Sequence, residues 1–176
     1  MTARSRRGIN DECRDLIVKL YDLPDSAALQ QRLRGEGIAF RRALAPEKHL
    51  VLEWMGRNFW RSWVSECDVA FSRQPIACML AVSGQDLLGV AVYDSLALGV
   101  AGPLAIRESR RRSRLGLGGA LALQMFEAMR AQGYAYAVLG CMAPGPRRWI
   151  NKTVKAQVIE DSQPLIGMYR GLIVEE

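Results

Sequence analysis

The chain has 176 residues, of which 49% are hydrophobic, and a formal net charge of +6. This length and composition suit one globular domain with a buried core, and none of the apolar runs reaches the length of a transmembrane helix. Residues 1–10 carry three arginines and no apolar core. We therefore expect residues 1–12 to be a flexible tail rather than a secretory signal.

The cysteine and histidine content argues against a metal site. Cys13, Cys67, Cys78 and Cys141 lie far apart in the sequence, and His49 is the single histidine, so no zinc-ligand spacing is present. We expect no metal and reduced thiols, as in a cytoplasmic protein.

The first half of the chain predicts two strands and two helices. Residues 16–21 form an apolar run typical of a strand, and Ser26 is placed to cap a helix that continues to Arg34. A second strand covers residues 38–44, and Pro46 then opens a longer helix. One face of this helix is apolar at helical spacing, and we expect it to be core. That face consists of Val51, Trp54, Met55, Phe59 and Trp63.

The second half predicts a hairpin and a strand–turn–helix–strand unit. Residues 77–82 and 87–94 are β-rich runs on either side of a hairpin turn. The next strand, residues 96–106, carries Gly99, Gly102 and Pro103, which predict a bulge or bend where a ligand approaches. The remaining elements are a helix over 119–132, a strand over 134–139, a helix over 147–154, and strands over 157–160 and 168–174.

A turn rich in glycine and arginine, residues 111–121, joins the strand ending near residue 106 to the following helix. Gly116, Gly118 and Gly119 lack the β-carbons that would keep a ligand away from the backbone. The first N–H groups of the helix, together with its dipole, then form an anion site suited to a pyrophosphate. The pattern is neither a dinucleotide fingerprint nor a P-loop, and glycine pairs in loops also occur simply as turns.

Basic residues cluster around the same turn. The cluster consists of Arg107, Arg110, Arg111, Arg112 and Arg114. Guanidinium groups at this density suit the phosphates of a small ligand. Because no aromatic residues are interleaved with the cluster, as a platform for stacked bases requires, we do not expect nucleic acid to be the main partner.

The turn resembles the acetyl-CoA loop of the GNAT superfamily of N-acetyltransferases, which carries Arg/Gln-x-x-Gly-x-Gly/Ala between a strand and a helix. The last three positions of that motif correspond to Gly116, Leu117 and Gly118. Ser113 stands at the leading position, with arginines on both sides of it.

The order of the predicted elements is also similar to that of the family, over about residues 38–174. The resemblance implies an α+β fold in which a mixed, mostly antiparallel sheet is flanked by helices. Residues 13–37 then form an added strand and helix, and residues 38–176 form the acetyltransferase domain.

The resemblance implies direct transfer of an acetyl group from acetyl-CoA to a primary amine of a small molecule or a peptide. The peptide groups of the strand would pair with the pantetheine arm, and those of the turn would hold the pyrophosphate. The residues thereby assigned to the cofactor are Leu104, Ala105, Ile106, Arg111, Arg112, Arg114, Leu115, Gly116, Leu117, Gly118, Gly119, Ala120, Trp149 and Lys152. The resemblance leaves a homodimer open, and we expect no membrane partner.

The amine must lose a proton before it attacks, and four carboxylates are candidate bases. We favour Glu66 over Glu108 because the aromatic residues near Glu66 in the sequence favour a raised carboxylate pKa. Asp68 and Asp94 are further candidates, and for each of the four a solvated surface acid is the alternative interpretation.

Many family members have a tyrosine that protonates the departing thiolate, and Ile150 stands at that position here. Tyr169, Cys141 or water would then have to supply the proton. Because an isoleucine cannot donate a proton, a catalytically silent acyl-CoA-binding sensor or structural module is the alternative function.

Overall fold

The computed structural model describes residues 13–111, 116–142, 144–162 and 173, which form seven strands and six α-helices. The strands are β1 (Arg14–Lys19), β2 (Ala39–Arg42), β3 (Cys78–Ser83), β4 (Asp86–Tyr93), β5 (Val100–Ile106), β6 (Tyr136–Met142) and β7 (Gln157–Val158). The helices are α1 (Ala27–Gly35), α2 (Lys48–Asn58), α3 (Arg61–Phe71), α4 (Glu108–Arg111), α5 (Leu117–Ala131) and α6 (Pro144–Val154). The last predicted strand, residues 168–174, lies almost entirely outside the described residues.

The seven described strands form one sheet in the order β2-β3-β4-β5-β6-β1-β7. Neighbouring strands run antiparallel, except for β5 and β6, which run parallel. The predicted hairpin is the β3–β4 pair, and the strand–turn–helix–strand unit is β5-α5-β6. The predicted α+β fold, with a mixed and mostly antiparallel sheet flanked by helices, is therefore confirmed.

Strand β1 lies inside the sheet, between β6 and β7. Val18 is partnered with Ala137 of β6, and Leu16 is partnered with Val158 of β7. Leu16 and Val18 are fully buried, so these alternate positions anchor the strand in the core. The segment expected as an addition thus supplies an interior strand next to the parallel β5–β6 pair.

The N-terminus of α1 differs from the sequence prediction. Ser26 precedes the helix, but its hydroxyl donates to Oε1 of Glu127 at 2.9 Å and makes no capping bond. The Asp25 carboxylate accepts the Ala27 N–H instead, at 2.8 Å. The prediction of a Ser26 cap was wrong, because a long-range partner on α5 competes for the hydroxyl.

The single long helix predicted after the second strand is two helices. Phe59 and Trp60 are extended between α2 and α3, although neither glycine nor proline marks the break. The two helices fold back on each other, and the rings of Phe59 and Trp63 stack with centroids 5.3 Å apart. The predicted apolar face still packs into the core, with Val51 and Met55 buried and Trp54, Phe59 and Trp63 partly buried against it.

Helix α5 covers one face of the sheet and α3 the other. Gly89 faces α5, since a β-carbon there would stand 3.0 Å from a methyl group of Leu121. Gly89 is partnered with Ala81, and side chains alternate along a strand, so Cys78 points to the opposite face. There the thiol of Cys67 on α3 is near enough to influence the ionisation of Cys78.

Candidate cofactor cleft and active site

The parallel pair β5–β6 is joined over a short length. Val100 is partnered with Val138 and Ala101 with Leu139, and along the described strands the pairing stops there. Both strands continue, to Ile106 and to Met142. They therefore part in the direction of the turn that leads into α5, which creates a cleft between their C-terminal halves.

A β-bulge marks the point where the strands part. Between the partner pairs Ala91–Leu104 and Tyr93–Ala101, β5 has two intervening residues where β4 has one. The two residues are Gly102 and Pro103, and Gly102 has φ +124°, which favours glycine. The irregularity predicted for this strand is confirmed.

The peptide groups of β5 alternate in direction. The Arg107 N–H donates to the carbonyl of Leu88 at 2.9 Å, and the register places Ala105 in a pair of the same kind. Hydrogen-bonded and non-hydrogen-bonded pairs alternate in an antiparallel ladder, so Ala105 directs its N–H and C=O at β4. Leu104 and Ile106 direct theirs away from β4, toward the side of the sheet on which β6 lies.

Helix α5 begins directly after a left-handed glycine. Gly116 has φ +76°, and its carbonyl accepts the N–H of Ala120 at 3.0 Å. The N–H groups that precede the first intrahelical bond therefore belong to Leu117, Gly118 and Gly119. Ala120, which was predicted to bind the cofactor, uses its N–H inside the helix and has a fully buried side chain, so it offers a ligand neither group.

Helix α6 packs across the first turn of α5. A β-carbon on Gly118 would stand 3.2 Å from Cζ2 of Trp149 and 3.6 Å from Cγ1 of Ile106. A β-carbon on Gly119 would meet Thr153 at 3.2 Å. The structure thus brings together Gly118, Trp149 and Ile106, which the sequence placed in one site although they are far apart in the chain.

The basic residues near the turn do not all have the same surroundings. Arg107 turns back to the β3–β4 hairpin, where its Nη2 donates to the carbonyl of Leu87 at 2.7 Å.

Sequence reasoning missed two residues of α1: a β-carbon on Gly116 would stand 3.2 Å from Leu29 and 3.7 Å from Nη2 of Arg32. No local pattern indicates this contact, because strands β2 to β5 separate α1 from the turn in the sequence.

Several predicted cofactor residues lie outside the described residues or at their border. Arg112, Arg114 and Leu115 belong to the undescribed turn, and Arg111 ends α4 with only its backbone described. Lys152 is exposed on α6. The roles of these residues remain predictions.

The predicted catalytic carboxylates lie on different elements. Glu66 is partly buried on α3, and Glu108 is exposed at the first position of α4. Asp68 is exposed and pairs with Nζ of Lys48 at 2.5 Å. Tyr169 lies outside the described residues, and Cys141 is described only as part of the β6 backbone.

Asp94 is a buried carboxylate in the connection between β4 and β5, with a side chain held from two sides. One oxygen accepts the Gly99 N–H at 2.7 Å and the other accepts the Tyr134 hydroxyl at 2.9 Å. Its backbone carbonyl accepts Nε of Arg73 at 2.9 Å. Burial, followed by the hydrogen bond to Asp94, raises the pKa of Tyr134. This network engages both oxygens of the Asp94 carboxylate and fixes the start of β5.

The neighbouring Ser95 reaches the bulge itself. Its hydroxyl donates to the carbonyl of Gly102 at 3.2 Å, which ties the bulged residue to the same connection. The bulge is therefore held from the β4–β5 connection as well as from the ladder with β4.

Ile150 is 1% exposed and belongs to the hydrophobic core. Its side chain faces inward from α6, whereas Trp149 beside it is 39% exposed. An isoleucine at this position thus contributes packing, and the position offers no proton donor.

The described part of the chain holds neither a metal-ligand cluster nor a membrane-spanning helix. It contains no group of three or more His, Cys, Asp or Glu side chains able to hold a metal ion. None of its helices is both long and apolar enough to cross a membrane.

No family model and no curated protein sequence matches the chain. Solved structures do. The glucosamine N-acetyltransferase region of a fungal multi-domain GH3 β-N-acetylglucosaminidase matches with a TM-score of 0.66 and 14% identity, over 83% of this chain and 19% of that one. A GCN5-related N-acetyltransferase from Sphaerobacter thermophilus matches with a TM-score of 0.60 and 18% identity, over 83% of this chain and 48% of that one. Another from Kribbella flavida matches with a TM-score of 0.57 and 21% identity, over 89% of this chain and 56% of that one.

The chain thus spans between a fifth and just over half of the length of these structural neighbours. At such identities the likeness establishes the fold. The chain has the fold of the GCN5-related N-acetyltransferases.

Proposed function

We propose that the protein is an acetyl-CoA-dependent N-acetyltransferase that acts on a primary amine of a small molecule or a peptide. The observation that carries this proposal is the cleft between β5 and β6, which opens toward the glycine turn at the start of α5. The fold of the structural neighbours supports the same class of reaction.

The residues around the cleft suit the two chemically distinct parts of coenzyme A. The N–H groups of Leu117, Gly118 and Gly119, at the positive end of the α5 dipole, suit the pyrophosphate. Glycine at positions 118 and 119 lets Trp149 and Thr153 of α6 pack closely against this end of α5. The carbonyl of Leu104 and the peptide groups of Ile106, directed away from β4, suit the amide groups of pantetheine, as an added strand would.

The bulge provides a donor for the thioester carbonyl. In the proposed reaction the deprotonated amine attacks the carbonyl carbon, a C–N bond forms, the C–S bond breaks and the thiolate takes up a proton. The carbonyl oxygen gains negative charge on the way. Pro103 has no N–H, so the N–H of Leu104 is the donor at the bulge that we assign to this oxygen, an interaction worth on the order of 3 kcal/mol in comparable sites.

Binding and turnover measured on the same preparation test the proposal. Calorimetry with CoA and acetyl-CoA reports binding, and thiol release from acetyl-CoA reports transfer across a panel of amines. The panel includes glucosamine, aliphatic diamines and peptides with a Lys or a primary N-terminal amine. We expect binding and amine-dependent thiol release, and failure to bind either ligand would overturn the proposal.

A catalytically silent acyl-CoA-binding module is the second candidate function. Two observations favour it: Ile150 is buried at the place of the expected acid, and Asp94 is engaged in structural hydrogen bonds. This function predicts tight binding of acetyl-CoA with no thiol release above the rate without protein, for every amine in the panel.

A further inference from the structure

The direction of the Leu104 N–H depends on how the bulge of β5 is held. This N–H, which we assign to the thioester oxygen, belongs to the peptide unit between Pro103 and Leu104, and the unit before it carries the Gly102 carbonyl. The ring of Pro103 fixes its φ, so only the ψ of Pro103 turns one peptide unit relative to the other. A bond that fixes the Gly102 carbonyl therefore limits the directions that the Leu104 N–H can take.

The ladder with β4 holds this N–H from the C-terminal side. The register pairs Ala105 with Val90, and Ala105 directs its peptide groups at β4. On the N-terminal side the ladder is interrupted, because Gly102 and Pro103 stand opposite a single residue of β4. Gly102 also has no side chain to limit its backbone angles, and its φ is +124°. A bond from outside the ladder is therefore most effective at this point.

Ser95 makes such a bond from a connection that is itself held at both ends. Its hydroxyl donates to the Gly102 carbonyl at 3.2 Å. The Asp94 N–H donates to the carbonyl of Val100 at 2.8 Å, and the Asp94 carboxylate accepts the Gly99 N–H at 2.7 Å. The backbone on which Ser95 stands is thus tied to the start of β5, and its hydroxyl reaches the bulge from a fixed base.

We propose that Ser95 is a positioning residue for acetyl transfer, because its hydroxyl, acting through the Gly102 carbonyl, directs the Leu104 N–H at the carbonyl oxygen of the thioester. The inference rests on the proposed function, and Ser95 itself touches no reacting atom. A donor to a developing oxyanion is effective when its geometry is fixed before the reaction. Loss of the Ser95 hydroxyl therefore lowers the rate of transfer more than it lowers the affinity for acetyl-CoA.

Infrared difference spectroscopy of bound acetyl-CoA, isotopically labelled at the thioester carbonyl carbon, tests the direction of this N–H without an amine. A hydrogen bond to the oxygen lowers the stretching frequency of the C=O bond. We expect a lower frequency in the wild type and in Ser95→Thr, which keeps the hydroxyl, than in Ser95→Ala. Ser72→Ala is the matched control and should give the wild-type frequency. Ser72 is exposed at the end of α3, and its hydroxyl also donates to a backbone carbonyl, that of Asp68 at 3.4 Å.

Thiol release gives a second readout with any amine that supports turnover. We expect Ser95→Ala to lower kcat by about tenfold and to leave the KM for acetyl-CoA within about twofold of the wild type. Ser95→Thr should stay within about threefold in both constants. Calorimetry with CoA counts the protein that is able to bind, and kcat is referred to that amount. A role of Ser95 in folding alone would lower this amount and leave the kcat of the remaining protein unchanged.

Two results overturn the inference while the proposed function stands. One is the same thioester frequency in Ser95→Ala as in the wild type, and the other is an unchanged kcat per binding-competent protein. If the wild type does not bind acetyl-CoA, the proposed function fails and the inference fails with it. Ser95→Cys, which has nearly the same shape and a weaker donor, replaces Ser95→Ala if thermal unfolding shows the alanine variant to be misfolded.

Discussion

The indole ring of Trp149 lies directly over Gly118, with Cζ2 3.2 Å from the point where a β-carbon of residue 118 would stand. Trp149 belongs to α6 and Gly118 to the first turn of α5, so the two helices meet where the proposed pyrophosphate site begins. Glycine at this position serves two purposes, since it admits the ring and leaves the backbone open to a ligand.

Replacing Gly118 with valine should weaken CoA binding, because the new side chain displaces Trp149 and crowds the backbone at the start of α5. We expect at least a tenfold loss of affinity by calorimetry, with the fold retained in circular dichroism. Gly35→Val is the control, because a β-carbon at Gly35 would meet nothing within 4 Å. In the double variant Gly118→Val/Trp149→Ala the clash with the ring is removed. Recovery of affinity there would show that ring displacement, and not blocked backbone approach, caused the loss.

Ile150→Tyr should destabilise the protein rather than restore a catalytic acid. Ile150 is 1% exposed, and insertion of a larger polar ring into a packed core disfavours folding by about 1–3 kcal/mol. Chemical denaturation compares the free energy of unfolding of this variant with that of Ile150→Val, for which we expect about 0.5–1.5 kcal/mol. Unchanged stability together with faster thiol release would contradict the buried position.

Loss of the Asp94 carboxylate should destabilise the β4–β5 connection. Asp94→Ala removes acceptors from the Gly99 N–H and the Tyr134 hydroxyl, and we expect a loss on the order of 3 kcal/mol in denaturant unfolding. Asp94 has φ +56°, which asparagine tolerates, so Asp94→Asn should lose less. Tyr134→Phe removes one of the two bonds and should lose about 1 kcal/mol. Equal stability of Asp94→Ala and Asp94→Asn would show that the hydrogen bonds contribute little.

Stability should fall in alkaline solution partly through Cys67. Burial, with a smaller contribution from the charge of Glu66, raises the pKa of the Cys67 thiol to about 12. In the unfolded chain the pKa of a cysteine thiol is about 8.5. The folded state therefore keeps a proton that the unfolded state releases, so this contribution is complete below about pH 8.5 and is lost as the pH rises toward 12. Between about pH 7.5 and about pH 10 we expect a loss of about 2 kcal/mol from this thiol.

The control for this effect is Cys67→Ala, measured by denaturant unfolding at the same two pH values. It should show a smaller decline than the wild type, because the ionising group is gone. Burial also raises the pKa of Cys78, which leaves a residual alkaline decline in that variant. Identical declines in the two proteins would remove Cys67 as a source.

If amine-dependent turnover is found, Glu66→Gln should lower kcat by about a hundredfold and remove the acidic limb of the pH–rate profile. Glu108→Gln is the matched variant and should leave both unchanged. An unaltered profile for Glu66→Gln would exclude Glu66 as the base. The same result for both variants would leave deprotonation by solvent as the remaining route.

Most of the local structure could be predicted from the sequence. The glycine turn, the irregular strand before it and the amphipathic helix after it depend on neighbouring residues, because glycine at Gly116 and Gly102 permits backbone angles that side chains disfavour. The alternation and the helical spacing of apolar residues are also local patterns, and they predicted the β3–β4 hairpin and α5. No local pattern indicates the break at Phe59 and Trp60, where contacts between helices override the helical pattern.

Only the tertiary structure decided how distant segments of the chain are arranged relative to one another. The place of β1 between β6 and β7, the contact of Arg32 with Gly116 and the buried position of Ile150 depend on strand order and on which helix face meets the sheet. Local propensity carries no information about these choices, since they arise from the joint burial of apolar faces far apart in the chain. The sequence by itself thus determined the chemistry of the turn, and the packing of α1 and α6 against α5 decided which side chains surround it.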